Sequence, residues 1–241
     1  MHPSDPRPPS DLGTGVVAAF RHEALAVVLQ VRAGRLCVLV WRRQRSPFEG
    51  SWALPSGPLE AAETLGASVA RHLATKVDLR ELAHLEQLET RSDPDRDPYG
   101  RTVATAYLGL VPTVADPSLP QHAAWRRTEE LPPLAFDHGS VIASGLERLR
   151  SKLSYTNIGF ALAPPTFTMA QLREIYVAAL GRDVSATNLQ RVLTRRGQLE
   201  ATGEMGATSS SGGRPAAIHR FSQRRLEVTD PFAVLRPHRT A

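Results

Sequence analysis

The sequence predicts two joined domains: a mixed domain of strands and helices over residues 20–153, an α/β/α sandwich or an α+β arrangement, and a smaller helix–helix–hairpin domain over residues 154–222. Three observations predict it. β-branched runs alternate with amphipathic helical segments as far as residue 153. The composition breaks at Ala161-Leu-Ala-Pro-Pro165, which reads as a hinge. The charge divides at the same place. The net +5 combines 17 Lys+Arg against 18 Asp+Glu through residue 150 with 12 against 6 beyond it. A basic last third is the footprint of a polyanion-binding module, or else a solvated basic tail.

Each element follows from local pattern. His22–Arg32 and Leu36–Arg43 are apolar, β-branched runs around Ala33-Gly34, the signature of a hairpin. A Pro/Gly-rich loop spans Ser46 to Pro58. Residues 61–77 read as a helix, with Leu65, Val69, Leu73 and Val77 at four-residue intervals. Leu85–Arg91 and Thr102–Val111 are strands separated by an acidic, Pro-rich loop at residues 92–98, and Ala123–Arg127 is a short strand. Ser140–Leu153 is an amphipathic linker helix. Past the break, Thr168–Leu180 and Ser185–Arg196 are helices. Thr168 and Ser185 are placed to N-cap them, and Gly181 and Gly197 sit where a left-handed C-cap needs glycine. Leu199–Thr202 and Ala216–Phe221 then pair around a Gly/Ser-rich tip, Gly203–Gly213. Helix, helix, hairpin is the order of a winged helix-turn-helix.

Composition excludes several classes. Cys37 is the only cysteine, so neither an internal disulfide nor a cysteine-based zinc cluster is available, which fits a reducing, cytoplasmic setting. No apolar run approaches the ~18 residues of a membrane span. Residues 1–19 lack the apolar core of a signal peptide and read as a disordered lead. Residues 223–241 read as a basic tail, with Arg224, Arg225, Arg236 and Arg239 as non-specific contacts or solvated groups.

One motif decides the first domain. Gly57-Pro-Leu-Glu-Ala-Ala-Glu63, followed by Arg71-His-Leu-Ala-Thr-Lys-Val-Asp-Leu79, resembles the Nudix box, G-x5-E-x7-R-E-U-x-E-E-x-G-U with U aliphatic. Gly57, Glu63, Arg71, Leu73 and Leu79 fall on pattern positions. His72, Thr75, Lys76 and Asp78 replace Glu, Glu, Glu and Gly. In Nudix hydrolases those helix carboxylates hold the divalent metal that activates water against a diphosphate. Hard cations need oxygen ligands, and positions 72, 75 and 76 share one helix face. Here that face offers an imidazole, a hydroxyl and an ammonium, so no metal site and no catalytic residue is expected. Lys76 has two readings: a solvated helix lysine, or an ammonium that pairs directly with a ligand phosphate. Arg71 is expected first to pair within the box. The alternative function is an active hydrolase of ADP-ribose or another nucleoside diphosphate derivative, using Glu60, Glu63 or Glu81.

The helix 185–196 carries the second motif. Leu189, Val192 and Leu193 form its apolar face. Thr187, Asn188, Gln190, Arg191, Thr194 and Arg195 face elsewhere and suit base-edge and phosphate contacts. Arg214, beside Gly212-Gly213 at the wing tip, suits a minor groove.

Together the two motifs resemble the Nudix-related transcriptional regulators of NAD metabolism. Leu153-Ser-Tyr-Thr-Asn-Ile-Gly-Phe160, Phe136-Asp137-His138, Asn188-Leu-Gln-Arg191 and Gly212-Gly-Arg-Pro215 add to the likeness. The resemblance implies a homodimeric repressor on palindromic operator DNA, with ADP-ribose or a related NAD-derived nucleotide as effector rather than cofactor, in the nucleoid-bearing cytoplasm. The pocket residues expected for such a ligand are Arg43, Phe48, Trp52, Gly57, Arg71, Lys76, Arg101, Tyr107, Phe136 and Asp137, with Trp52 and Phe136 reading equally as core residues and Tyr107 also as a packed residue of its apolar strand. His138 reads instead as a cap or hydrogen-bond partner. Ligand binding is expected to move the linker helix and the hinge at Pro164-Pro165.

Overall fold

A computed structural model of the chain describes residues 20–206 and 215–232. Strands β1 (Arg21–Arg32) and β2 (Arg35–Arg42) form the expected hairpin, turning through Ala33 and Gly34, both at positive φ. The mixed sheet they start has the path β3-β2-β1-β6-β5, with β4 (Ser56–Pro58) on β1 and β7 (Ala123–Arg127) on β2. β3 is Trp52–Ala53, β5 His84–Arg91 and β6 Thr102–Leu110; β1 and β6 run parallel.

β1 explains the three layers. Its run is apolar on both faces because both are covered. Leu25, Val27, Leu29 and Val31 meet Val141, Ile142, Leu149 and Leu153 of α2 (His138–Tyr155). Ala24, Ala26 and Val28 meet Val69, Leu73 and Val77 of α1 (Leu65–Val77). The expected α/β/α sandwich is therefore present. α1 begins at Leu65 rather than 61, because the Thr64 hydroxyl caps it by accepting from Ala67 N–H at 3.2 Å. It ends at Asp78, whose φ of 49° is the left-handed C-cap conformation. A glycine in the box pattern would adopt it most easily, and Asp is among the few other residues that do so readily.

The second domain has the expected order. Helix α3 (Met169–Leu180) opens with a full capping box between Thr168 and Gln171 and closes on Gly181. α4 (Ala186–Arg195) is capped by Ser185. Strands β8 (Phe167–Thr168), β10 (Ala217–Phe221) and β9 (Leu199–Met205) form the wing sheet. Gly203–Met205, expected in the flexible tip, extend β9 instead, with Met205 opposite Ala217. Arg214, Arg236 and Arg239 lie outside the described residues.

Two expectations about the joint are corrected. Ala161, Leu162 and Ala163 are fully buried, and Leu162 accepts a backbone bond from Thr113 N–H at 2.9 Å. This stretch follows a buried 3-10 turn, Ile158–Ala161, so it is core rather than a hinge. Leu172, Ile175, Leu189 and Leu193 of the second domain join Val31, Leu36 and Val141 of the first in one apolar cluster. The tail is also tied down at its start. Thr229 and Asp230 N–H both donate to Tyr155 O, and Val228 bridges Thr156. Arg224 reaches the Phe160 and Pro164 carbonyls, whereas Arg225, paired with nearby Glu227, stays exposed as a solvated group. No helix among the described residues is long and apolar enough to cross a membrane.

Candidate functional site

The box packs as the sequence implies. Arg71 binds Glu63 through two guanidinium nitrogens and donates to Pro58 O at 3.0 Å. This pairing holds the Glu63 carboxyl down at about 2. The His72 ring is buried and lies against Gly57; a Cβ there would fall 2.3 Å from His72 Cε1, which is why the position is glycine. His72 Nε2 hydrogen-bonds Pro58 O at 3.1 Å, and burial lowers its basicity. Exposed Thr75 spends its hydroxyl on Arg71 O.

Lys76 is not a solvated helix lysine. Its ammonium donates to Ser56 O and sits 4.3 Å from the centroid of the Trp41 ring. Burial pushes its pKa down to about 8. It points into a cleft of about 490 Å³, a size suited to a small ligand. His72 and Thr75 line the same cleft, so the three substituted positions do converge.

Of the expected pocket residues, Arg43, Gly57, Arg71, Lys76 and Phe136 line this cleft. Phe48 stands at its rim, its ring edge-on to Phe136 at 4.9 Å, and Arg43 stacks on the other ring at 4.6 Å. Phe48 and Phe136 both hold positive φ, 60° and 53°, a backbone cost that concentrates at functional sites. Four other expected residues lie elsewhere. Trp52 packs on the apolar core, its ring flanked by Arg42 and Arg126. Tyr107 packs on the α1-side core from β6. Arg101 donates to Ser92 O and stacks on Phe20. Asp137 pairs with the buried Arg96 at 2.8 Å, pinning the 92–100 loop to the start of α2. His138 is the hydrogen-bond partner expected: its Nδ1 accepts from Leu54 N–H at 3.0 Å.

The cleft also contains residues the sequence did not single out. Arg21 and Glu23 come from β1, Trp41 from β2, Arg45 from the loop after it, Asp97 and Tyr99 from the acidic loop, and His122 from before β7. Glu23 pairs with Arg21 at 2.8 Å. Arg45 has no hydrogen-bond or ion-pair partner among the described residues. The fold implies a divalent cation here, and the side chains present do not fit one. Glu63 is taken by Arg71, Lys76 brings positive charge to the helix face, and no group of three or more His, Cys, Asp or Glu among the described residues is arranged to hold a metal ion.

On the second domain, Leu189 and Leu193 of α4 are buried, whereas Thr187, Asn188, Gln190, Arg191, Thr194 and Arg195 are all exposed. Arg191 donates to Asn188 Oδ1 at 2.8 Å, fixing two of these side chains as a pair. On the wing, Arg220 is held by Glu200 at 2.9 Å. At the C-cap of α4, Arg196 donates to Ser154 O of α2 at 2.8 Å and pairs with Asp230 at 2.7 Å.

These features define a class: a Nudix-type ligand-binding domain fused to a DNA-reading winged helix. The chain matches the NUDIX domain model over residues 20–144 and the NrtR DNA-binding winged helix model over residues 159–221. It is 30% identical over 211 residues to the ADPR responsive transcriptional repressor NtrR of Acinetobacter baylyi, covering 85% of this chain and 83% of that one. The structure of Shewanella oneidensis NrtR complexed with a 27mer DNA superposes with a TM-score of 0.71 at 30% identity, over 83% of this chain and 92% of that one. The first domain alone is similar to an ADP-ribose pyrophosphatase of Methanocaldococcus jannaschii, 30% identical over 127 residues, 51% of this chain and 73% of the relative. The chain belongs to the NrtR family, Nudix-domain proteins that carry a C-terminal winged helix.

Proposed function

We propose that the chain is a transcriptional repressor that binds operator DNA through α4 and senses ADP-ribose, or a related NAD-derived nucleotide, in the cleft without hydrolysing it. The genes under its control are those of NAD synthesis or salvage, and the operator is palindromic because the repressor is a homodimer in the cytoplasm. One observation carries the reading: a cation-rich cleft whose helix has lost its acids lies at one end of α2, and the other end of α2 is tied to an exposed polar recognition helix. The ADPR-responsive Acinetobacter relative supports the effector, and the Shewanella complex supports the DNA partner.

Helix α2 joins the two sites. At one end Phe136 forms the cleft wall and His138 holds Leu54. At the other, Ser154 O receives Arg196 from the end of α4. The 18 residues between span about 27 Å. A ligand pressing on Phe136 therefore acts on a rigid rod whose far end sets the seat of the recognition helix. A 100-fold change in DNA affinity requires the ligand to prefer the DNA-incompetent arrangement by about 2.7 kcal/mol.

Binding of the chain to operator duplex at fixed salt, titrated with ADP-ribose, tests this; salt is held because phosphate contacts make affinity steeply salt-dependent. ADP-ribose is expected to release the duplex, and unchanged affinity at saturation would sink the sensing role. The second reading, hydrolysis, is favoured by the likeness to the pyrophosphatase and by Glu23 and Asp97 in the cleft. Mg²⁺-dependent turnover of ADP-ribose above ~1 s⁻¹ would establish it against ours.

A further inference from the structure

We infer that the Lys76 ammonium stands in for the divalent cation of this fold, so that the cleft takes a diphosphate by direct charge–charge contact and without metal. The inference rests on the reading of the cleft as a nucleotide sensor and names how its anion is held.

The geometry is specific. Lys76 Nζ is aimed inward from α1, anchored only by the Ser56 carbonyl and the Trp41 face. Neither partner is an anion, so its charge is unneutralised at close range. Arg45 likewise has no internal partner, and Arg43, across the mouth, bonds only the Pro47 carbonyl and stacks on Phe136. The two carboxylates that do line the cleft offset only part of the charge of its five cations, Arg21, Arg43, Arg45, Arg71 and Lys76. Glu23 is engaged by Arg21, and Asp97 accepts from Thr102 Oγ1 and Tyr99 N–H. Three cations without anionic partners around one small cavity call for an anion with more than one charge. A diphosphate has that charge, and its oxygens can accept from an ammonium and guanidinium groups together. A divalent ion at this place would meet Lys76 head-on, in the partly dry surroundings where like charges repel most.

The contrast with an ordinary box is one of role. There, acids recruit a metal and the metal recruits both phosphate and water. Here the ammonium recruits the phosphate directly and activates no water, so the same position binds without cleaving.

The test is calorimetric titration of the full chain with ADP-ribose and, separately, with inorganic pyrophosphate, each in EDTA and in Mg²⁺. Wild-type affinity is expected to agree within about twofold between the buffers for both probes. Lys76→Met keeps the stem against Trp41 and removes the charge. It is expected to bind about tenfold or more weakly in both buffers while unfolding at the wild-type temperature. Wild-type binding that needs Mg²⁺, or a Lys76→Met chain that binds as tightly as wild type, overturns the inference. If ADP-ribose fails to bind but pyrophosphate binds through Lys76, the sensor reading falls and the inference stands. If neither binds, both fall.

Discussion

Helices α1 and α4 are both amphipathic, and both lay an apolar stripe on a core while turning polar groups outward, yet they use those groups in opposite ways. On α1 the polar face is committed inside the protein: Arg71 to Glu63, His72 to Pro58, Thr75 to its own helix, Lys76 to Ser56. On α4 the polar face is open, with the Arg191–Asn188 bond as its internal link. A small ligand is bound best by groups already held in place, since each ordered side chain lowers the entropy still to be lost. A DNA duplex is large and supplies many contacts, and its reader can stay solvated until it docks. Preorganisation on one helix and availability on the other thus follow from the size of what each is to bind.

The comparison can be broken in three places. The largest effect is expected within α4, on its inner face. Leu193 is 2% exposed and belongs to the cluster shared by both domains. Leu193→Ala is expected to lower stability by about 2–5 kcal/mol. Because the cluster is continuous, calorimetry should show one unfolding transition shifted as a whole; two separate transitions would mean that the domains fold independently. Next comes the outer face of the same helix. Arg191→Ala is expected to cost about 1–3 kcal/mol on operator DNA and leave the melting temperature unchanged. Equal operator binding by mutant and wild type would remove α4 from the reading surface. The smallest effect is expected on α1. Arg71→Ala should lower the melting temperature at neutral pH, where Arg191→Ala does not. Glu63 is depressed to about 2 in the folded chain, so its contribution is present above its ordinary value near 4.5 and is lost as pH falls toward 2. The gap between Arg71→Ala and wild type should therefore close across that acid window. A gap that stays constant down to pH 2 would show that the Arg71–Glu63 pair is not its cause.

Much of the site was legible where the signal was local. The box spacing located Gly57, Glu63 and Arg71, and helical periodicity alone predicted that positions 72, 75 and 76 converge. The same periodicity separated Leu189 and Leu193 from the six exposed polar residues of α4. Residues on strands were harder. A strand's alternate side chains go to opposite faces, and a pattern apolar on both sides, as in β1 and β6, does not say which face meets the ligand. Hence Trp52 and Tyr107, which the sequence leaves open to either a cleft or a packing role, pack half-buried against the core, while Arg21, Glu23 and Trp41 line the cleft unannounced. Asp137 escapes the sequence for another reason: its partner Arg96 is 41 residues away, and no local rule links them.

The sequence by itself determined the two-domain class, the loss of acids from the α1 face and the polar surface of α4, because periodicity, caps and motif spacing are properties of consecutive residues. Only the tertiary structure decided that Ala161–Ala163 are core and not hinge, that Lys76 turns inward onto Trp41, and that Arg196 ties the end of α4 to Ser154. Those outcomes depend on which distant surfaces pack together, and burial there sets the conformation, charge state and partner of each group.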